Sequence, residues 1–206
     1  MLKKLLILFS LAFLFVACNQ KTSEPEIELY VEHGEFTDSR DGQTYKTVTI
    51  ESQTWMAENL NYKTIDSYCY NDVLDSCAIY GRLYSKYISM EVCPEGWHTP
   101  YQQDWIILLE TIGGMETAGT KLHAQERWVD EWVKRDDEFG FSLLAPGMKR
   151  SGYQPLSSGY LDINHSARYW VYSDSSDVTR ISLSGERVYF ITYYEECALP
   201  IRCIKN

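Results

Sequence analysis

The chain is predicted to fold as an α+β domain with two helices, short antiparallel strands and long loops. Three observations carry this: one strong amphipathic helix pattern near the middle, a series of short alternating segments after Trp132 separated by Gly and Ser turns, and no internal repeat. At 206 residues, 45% hydrophobic and 14% aromatic, the chain is long enough for one domain with a real core. Residues 41–44, Asp-Gly-Gln-Thr, have turn chemistry, and residues 45–50 alternate as a half-buried strand does, with 53–56 as the hairpin partner. The main helix is predicted to open at Thr99-Pro100, with Thr99 as cap and Pro100 in the first turn. Trp105, Leu108, Leu109 and Ile112 then share one face, and Gly113-Gly114 ends it. A shorter helix is predicted over residues 83–90. Strands are predicted over 139–144, 168–173, 178–183, 187–193 and 199–204.

The N-terminus carries an address. Lys3 and Lys4 precede an apolar run over residues 5–16 that only Ser10 interrupts, which is the layout of an export signal. As a helix this run spans about 18 Å, short of the ~30 Å hydrocarbon core. Phe15-Val16-Ala17-Cys18 resembles a bacterial lipobox, so residues 1–17 are read as a lipoprotein signal peptide and Cys18 as the lipidated first residue of the mature chain. The alternative is a soluble secreted protein cut after Ala17. Residues 18–40 are rich in Glu, Ser, Thr and Lys and read as an acidic tether, with Glu24, Glu26, Glu28, Glu32 and Glu35 repelling one another and anionic lipid. The globular domain is then 41–206. A net charge of -10 makes nucleic acid an unsuitable partner. The partners expected are a membrane, through the lipid anchor, and a polysaccharide or surface protein; the localisation expected is the cell envelope, in particular the outer membrane of a Gram-negative bacterium.

With Cys18 assigned to lipid, Cys69, Cys77, Cys93, Cys197 and Cys203 remain, an odd number in an exported chain. Their spacing alone does not choose among the two-bridge arrangements. No His-x-x-x-His pair is present, the Gly114 to Lys121 stretch has Thr120 where a phosphate loop needs lysine directly after Gly119, and there is no Gly-x-Ser-x-Gly. The acids Glu126, Asp130, Glu131, Asp136, Asp137 and Glu138 read as a solvated run. No catalytic residue, cofactor or metal is therefore assigned.

Several blocks resemble one family. They are Asp41-Gly42-Gln43-Thr44-Tyr45, Gln53-Thr54-Trp55-Met56-Ala57-Glu58-Asn59-Leu60-Asn61-Tyr62, Cys69-Tyr70-Asn71-Asp72, Cys77-Ala78-Ile79-Tyr80-Gly81-Arg82, Cys93-Pro94-Glu95-Gly96-Trp97-His98-Thr99-Pro100, Phe139-Gly140-Phe141-Ser142 and Ile201-Arg202-Cys203-Ile204. In this order they resemble the Fibrobacter succinogenes major paralogous domain family, whose members are typically exported proteins and lipoproteins. More distantly the pattern is similar to the fold shared by C-type lectin-like domains and formylglycine-generating enzymes. That resemblance implies the disulfides Cys69–Cys77 and Cys93–Cys203, and leaves Cys197 as an unbridged thiol. It also implies that Trp55, Trp97, Trp105 and Trp170 are core. The calcium-binding Glu-Pro-Asn and Trp-Asn-Asp stretches of sugar-binding lectins are missing.

Function is therefore expected to be non-catalytic: a lipid-anchored envelope module for binding or adhesion. The aromatic residues expected to meet a ligand are Trp128, Trp132, Tyr153, Tyr160 and Tyr172, which lie among charges or beside Gly and Ser turns. The alternatives are a formylglycine-generating-type copper oxidoreductase, which needs a reactive Cys197, and a structural role in envelope assembly.

Overall fold

A computed structural model describes residues 28–129, 131, 133–150, 159–172, 178–192 and 196–206. The signal segment, Cys18, Trp132 and Tyr153 lie outside the described residues. The described residues form an α+β domain of three antiparallel sheets and four α-helices, two more helices than expected. The additional ones are short: α1 (Leu74–Tyr80) and α4 (Ala118–Leu122), beside α2 (Lys86–Ser89), which lies within the predicted 83–90 segment, and α3 (Gln102–Thr111). No helix among the described residues is long and apolar enough to cross a membrane.

The first sheet has the order β1 (Val31–Thr37), β2 (Thr44–Ile50), β3 (Gln53–Met56), β13 (Ile204–Lys205) and β6 (Trp97–His98). The predicted β2–β3 hairpin forms, with Ile50 opposite Gln53 and Val48 opposite Trp55. The tether reading is corrected from Val31 onward: all seven residues of β1 pair with β2, from Val31 opposite Ile50 to Thr37 opposite Thr44. Its alternation is weak because β1 is an edge strand whose outward positions carry charge, which blunts pairing with other chains. Asp38, at the end of the predicted tether, is fully buried and pairs with Arg40 at 2.6 Å. Burial opposes its ionisation, but the hydrogen bonds and charge of Arg40 outweigh that and hold Asp38 below the ordinary carboxylate range.

The second sheet has the order β4 (Ser67–Tyr68), β5 (Leu83–Ser85), β12 (Cys197–Leu199), β7 (Pro146–Arg150) and β8 (Gly159–Ile163). The third is the meander β9 (Ala167–Tyr172), β10 (Val178–Ser184) and β11 (Arg187–Thr192), close to the predicted segments. Three expected elements differ. Residues 83–90 divide into β5 and α2, because Leu83 and Tyr84 pair with β4 on one side and Tyr84 and Ser85 with β12 on the other, so the segment is drawn into the second sheet before the helix can begin. Residues 139–144 form a loop, where Gly140 (φ 64°) and Ser142 (φ 53°) break the extended run, and the strand begins at Pro146. Residues 199–204 cross between sheets at Pro200, which offers no N–H to a ladder, so β12 joins the second sheet and β13 the first.

Helix α3 starts later than predicted. The Asp104 carboxylate accepts the Tyr101 N–H at 2.7 Å, while the Thr99 hydroxyl donates to the Ser89 carbonyl at 2.6 Å and so is not the cap. Its apolar face is as predicted, with Trp105, Leu108, Leu109 and Ile112 all buried in a core shared by the first and third sheets. A second core gathers Tyr45, Met56, Tyr84, Trp170, Leu199 and Ile201, with the Trp170 indole donating to the Tyr84 carbonyl at 2.7 Å. Trp55, Trp97, Trp105 and Trp170 are buried.

The structure holds the disulfides Cys69–Cys77 and Cys93–Cys203, closing sequence separations of 8 and 110 residues. Cys197 stands outside both and is buried in the second core. In the chain-entropy view the long loop restricts the unfolded chain more. Replacing Cys93 and Cys203 by Ser is therefore expected to lower unfolding free energy by about 5 kcal/mol, and replacing Cys69 and Cys77 by about 2.5 kcal/mol, measured by urea titration.

Candidate functional site

Helix α1 has seven residues, too few to persist alone in water. Its position comes from side chains around it. The disulfide ties Cys77 on the helix to Cys69, and the buried Arg82 guanidinium lies beneath, with Nη1 at 3.5 Å from Cys69 Sγ and 3.4 Å from Cys77 Sγ. Arg82 Nε donates to the Ser67 hydroxyl at 2.9 Å. At the helix end the Asn59 amide donates to the Tyr80 carbonyl at 2.8 Å, and the Tyr80 hydroxyl donates to Asn164 Oδ1 at 2.8 Å. Gly81 follows with φ 73°; a Cβ there would stand 2.7 Å from Asn59 Cβ, so both the backbone angle and the space require glycine.

Beside the disulfide loop that precedes this helix lies a tyrosine platform. A 3-10 turn at Tyr70–Asp72 brings Tyr70 against Tyr160 of β8, ring centroids 5.3 Å apart and tilted by 57°. Gly147 makes room, since a Cβ there would meet Tyr70 Cε2 at 2.6 Å. The Tyr160 hydroxyl donates to Asp72 Oδ1 at 2.5 Å, and burial together with this bond raises its pKa. Lys149 Nζ lies 3.6 Å from the Tyr68 ring centroid and 5.3 Å from that of Tyr160, a cation held over two aromatic faces. Asn71 and Asp72 both have positive φ, 55° and 58°, a backbone form that non-glycine residues hold only where their surroundings impose it. Val73 and Leu74, 49% and 75% exposed, extend the platform with apolar surface.

Cys77, Ala78 and Ile79 of the same helix line a cleft of about 200 Å³. Lys46 and Glu58 are exposed side chains in its lining, Asn59 and Asn61 lie deeper, and Arg202 is 1% exposed. Arg202 donates to the carbonyls of Met56 (3.2 Å), Phe141 (2.9 Å) and Ser142 (3.2 Å). Its burial lowers its pKa, against the opposing pull of Tyr169, Glu58 and Asp137, yet a guanidinium stays charged at any ordinary pH.

Of the aromatic residues singled out in the sequence, only Tyr160 joins a cluster of tyrosines, and it is half-buried there, as are Tyr68, Tyr70 and Lys149. Tyr172 is buried on β9, its hydroxyl 2.8 Å from Ser89 Oγ, and burial pushes its pKa up to about 12. It is inside because both faces of β9 are covered, Ala167, Tyr169 and Val171 lying in the first core and Trp170, on the same face as Tyr172, in the second. Trp128 is half-buried, not exposed: its ring lies 4.0 Å from the His123 ring, with the Arg135 guanidinium 5.2 Å from its centroid. Trp132 and Tyr153 lie outside the described residues. Tyr68, Tyr70 and Lys149 were missed because no spacing links the disulfide loop to β7 and β8.

His123 beneath Trp128 is fully buried, and neither ring nitrogen has a hydrogen-bond partner among the described residues. Burial, then the Arg135 charge, lowers its pKa from 6.5 to about 3. A neutral imidazole is thus favoured in the fold while the unfolded chain takes up a proton below pH 6.5. The resulting stability is complete above that pH and is lost as pH falls toward 3, at up to about 1.4 kcal/mol per pH unit. His123→Phe, which cannot titrate, is expected to narrow its stability deficit, or widen its advantage, by about 2 kcal/mol relative to the parent between pH 7 and pH 5, by urea unfolding.

Fold and site together define a disulfide-stapled α+β domain with two surfaces built around one short helix. The chain belongs to the Fibrobacter succinogenes major domain family, whose model matches residues 48–205. No curated protein and no solved structure matches the chain.

Proposed function

We propose that this protein is a non-catalytic, lipid-anchored binding module of the cell envelope that holds polysaccharide through the tyrosine platform. The observation that carries this reading is the cluster of Tyr68, Tyr70 and Tyr160 with Lys149 beside the disulfide loop. Sugar rings present C–H faces that stack on aromatic rings, and the ordered tyrosines lose little entropy on contact. The exposed Val73 and Leu74 favour a second reading, a surface protein as the partner. A C-type lectin-like or formylglycine-generating-enzyme-like architecture belongs to the same proposal, supported by the terminal Cys203 joined to Cys93 ahead of α3. Of the two thiols that a copper oxidase of that fold would use, Cys203 is engaged in this bridge, so the binding reading is preferred.

The anchor rests on Phe15-Val16-Ala17-Cys18 after the apolar run, with the outer membrane of a Gram-negative bacterium as the proposed location. Labelled palmitate should enter the parent protein, and Cys18→Ala should lose the label and move from the membrane to the soluble fraction. For the platform, the chain from Asn19 onward should bind one class of polysaccharide saturably by affinity electrophoresis or calorimetry. Tyr160→Ala and Tyr70→Ala should each weaken it about tenfold, equivalent to about 1.4 kcal/mol. Unchanged affinity in both variants would remove the platform as the site.

A further inference from the structure

The cleft lined by α1 has a chemistry that the platform does not use. Arg202 has no carboxylate within ion-pair distance among the described residues, and its Nε lacks a hydrogen-bond partner. A buried cation held by carbonyl dipoles, with Glu58 and Asp137 acting only from beyond ion-pair distance, leaves positive potential in the low-dielectric space beside it. Lys46 adds a second cation in the lining and makes no ion pair among the described residues. Glu58 opposes them: its carboxylate accepts the Lys46 N–H at 2.7 Å. The adjoining cavity shares Lys46 and adds His33 and Glu35, both exposed.

The remaining lining groups ask for donors. Asn59 is 6% exposed, and its amide nitrogen is committed to the Tyr80 carbonyl, which fixes Oδ1 as an acceptor with no partner. Asn61 Nδ2 donates to Gln43 Oε1 at 3.3 Å, and its Oδ1 likewise has no partner. Buried polar atoms left unpaired are costly, and two acceptors together with two cations in one small cleft call for a ligand with a carboxylate and nearby donors. Hydroxyls suit the donor role better than an ammonium, which Arg202 and Lys46 would repel. The volume suits a single residue and not a chain.

We infer that this cleft binds one uronic acid residue, its carboxylate drawn to Lys46 and the field of Arg202 and its hydroxyls donating to Asn59 and Asn61. This inference does not rest on the platform. The test is calorimetry on the full chain in detergent with galacturonate and glucuronate, and with glucose, acetate and glycine as comparison probes. Saturable binding of at least one uronate is expected, with the three comparison probes at least tenfold weaker. Lys46→Glu, an exposed position that leaves the core intact, should weaken uronate binding tenfold or more, whereas Tyr160→Ala should leave it unchanged. Binding of neither uronate, equal binding of glucose, acetate or glycine, or an unaltered affinity in Lys46→Glu would each overturn the inference. Loss of uronate binding in Tyr160→Ala would overturn its assignment to the cleft and move that ligand to the platform.

Discussion

The Arg202 guanidinium is the constraint on which the arrangement depends. A cation buried in the core without an acid partner must find several oxygens, and it finds them in the carbonyls of Met56, Phe141 and Ser142. Those three residues belong to the end of β3 and to the 139–144 loop, which are far apart in sequence. The same guanidinium lies 5.3 Å from the Phe141 ring and 5.9 Å from that of Tyr169, so it draws the third sheet toward the first. Cys203, the next residue, is bridged to Cys93 just ahead of β6. One short C-terminal run therefore joins both cores, and the loop it fixes forms part of the cleft wall.

Removing that run would damage more than one sheet. Leu199 and Ile201 fill the second core and Ile204 the first, while Ile204 pairs with both Trp55 and His98. The backbone follows the same division: the Leu60 N–H reaches the Ile201 carbonyl at 2.9 Å, and Met56 N–H reaches that of Cys203 at 2.9 Å. Side chains and backbone thus report one geometry, which is what a sequence must achieve to favour a single fold.

Local signals in the sequence led to α3 and the β2–β3 hairpin, because both depend on spacing within a few residues: a helical apolar stripe ending at paired glycines, and alternation either side of a tight turn. The two bridges came with the family resemblance and not from spacing. Elements whose identity depends on distant partners were hidden. Edge strand β1 exposes most of its side chains, so its charges resemble those of a stalk; it is a strand only because β2 lies beside it. The run from Cys197 to Lys205 looks continuous until Pro200 has to pass between sheets. The site followed the same division. Tyr160 stood out as an aromatic beside turn residues, whereas Tyr172 and Trp128 look equally exposed in sequence until Ser89 and His123 are brought against them.

Helix α1 contributes Cys77, Ala78 and Ile79 to the cleft and, through the Cys77 bridge, holds the loop that carries Tyr70. Its own hydrogen bonds cannot hold it, so its order derives from the Cys69–Cys77 bridge, the Arg82 guanidinium beneath both sulfurs, and the Asn59 and Tyr80 bonds at its end. The entropy of ordering it is met during folding, before any ligand arrives, which leaves more of the contact energy for affinity. Asn59 belongs to both tasks: its amide nitrogen fixes the helix end while its oxygen lines the cleft. Tyr80 is tied in turn, through its hydroxyl, to Asn164 in the turn that follows β8. The helix is thus fixed by groups that the folded chain itself supplies, and neither surface has to order it on binding.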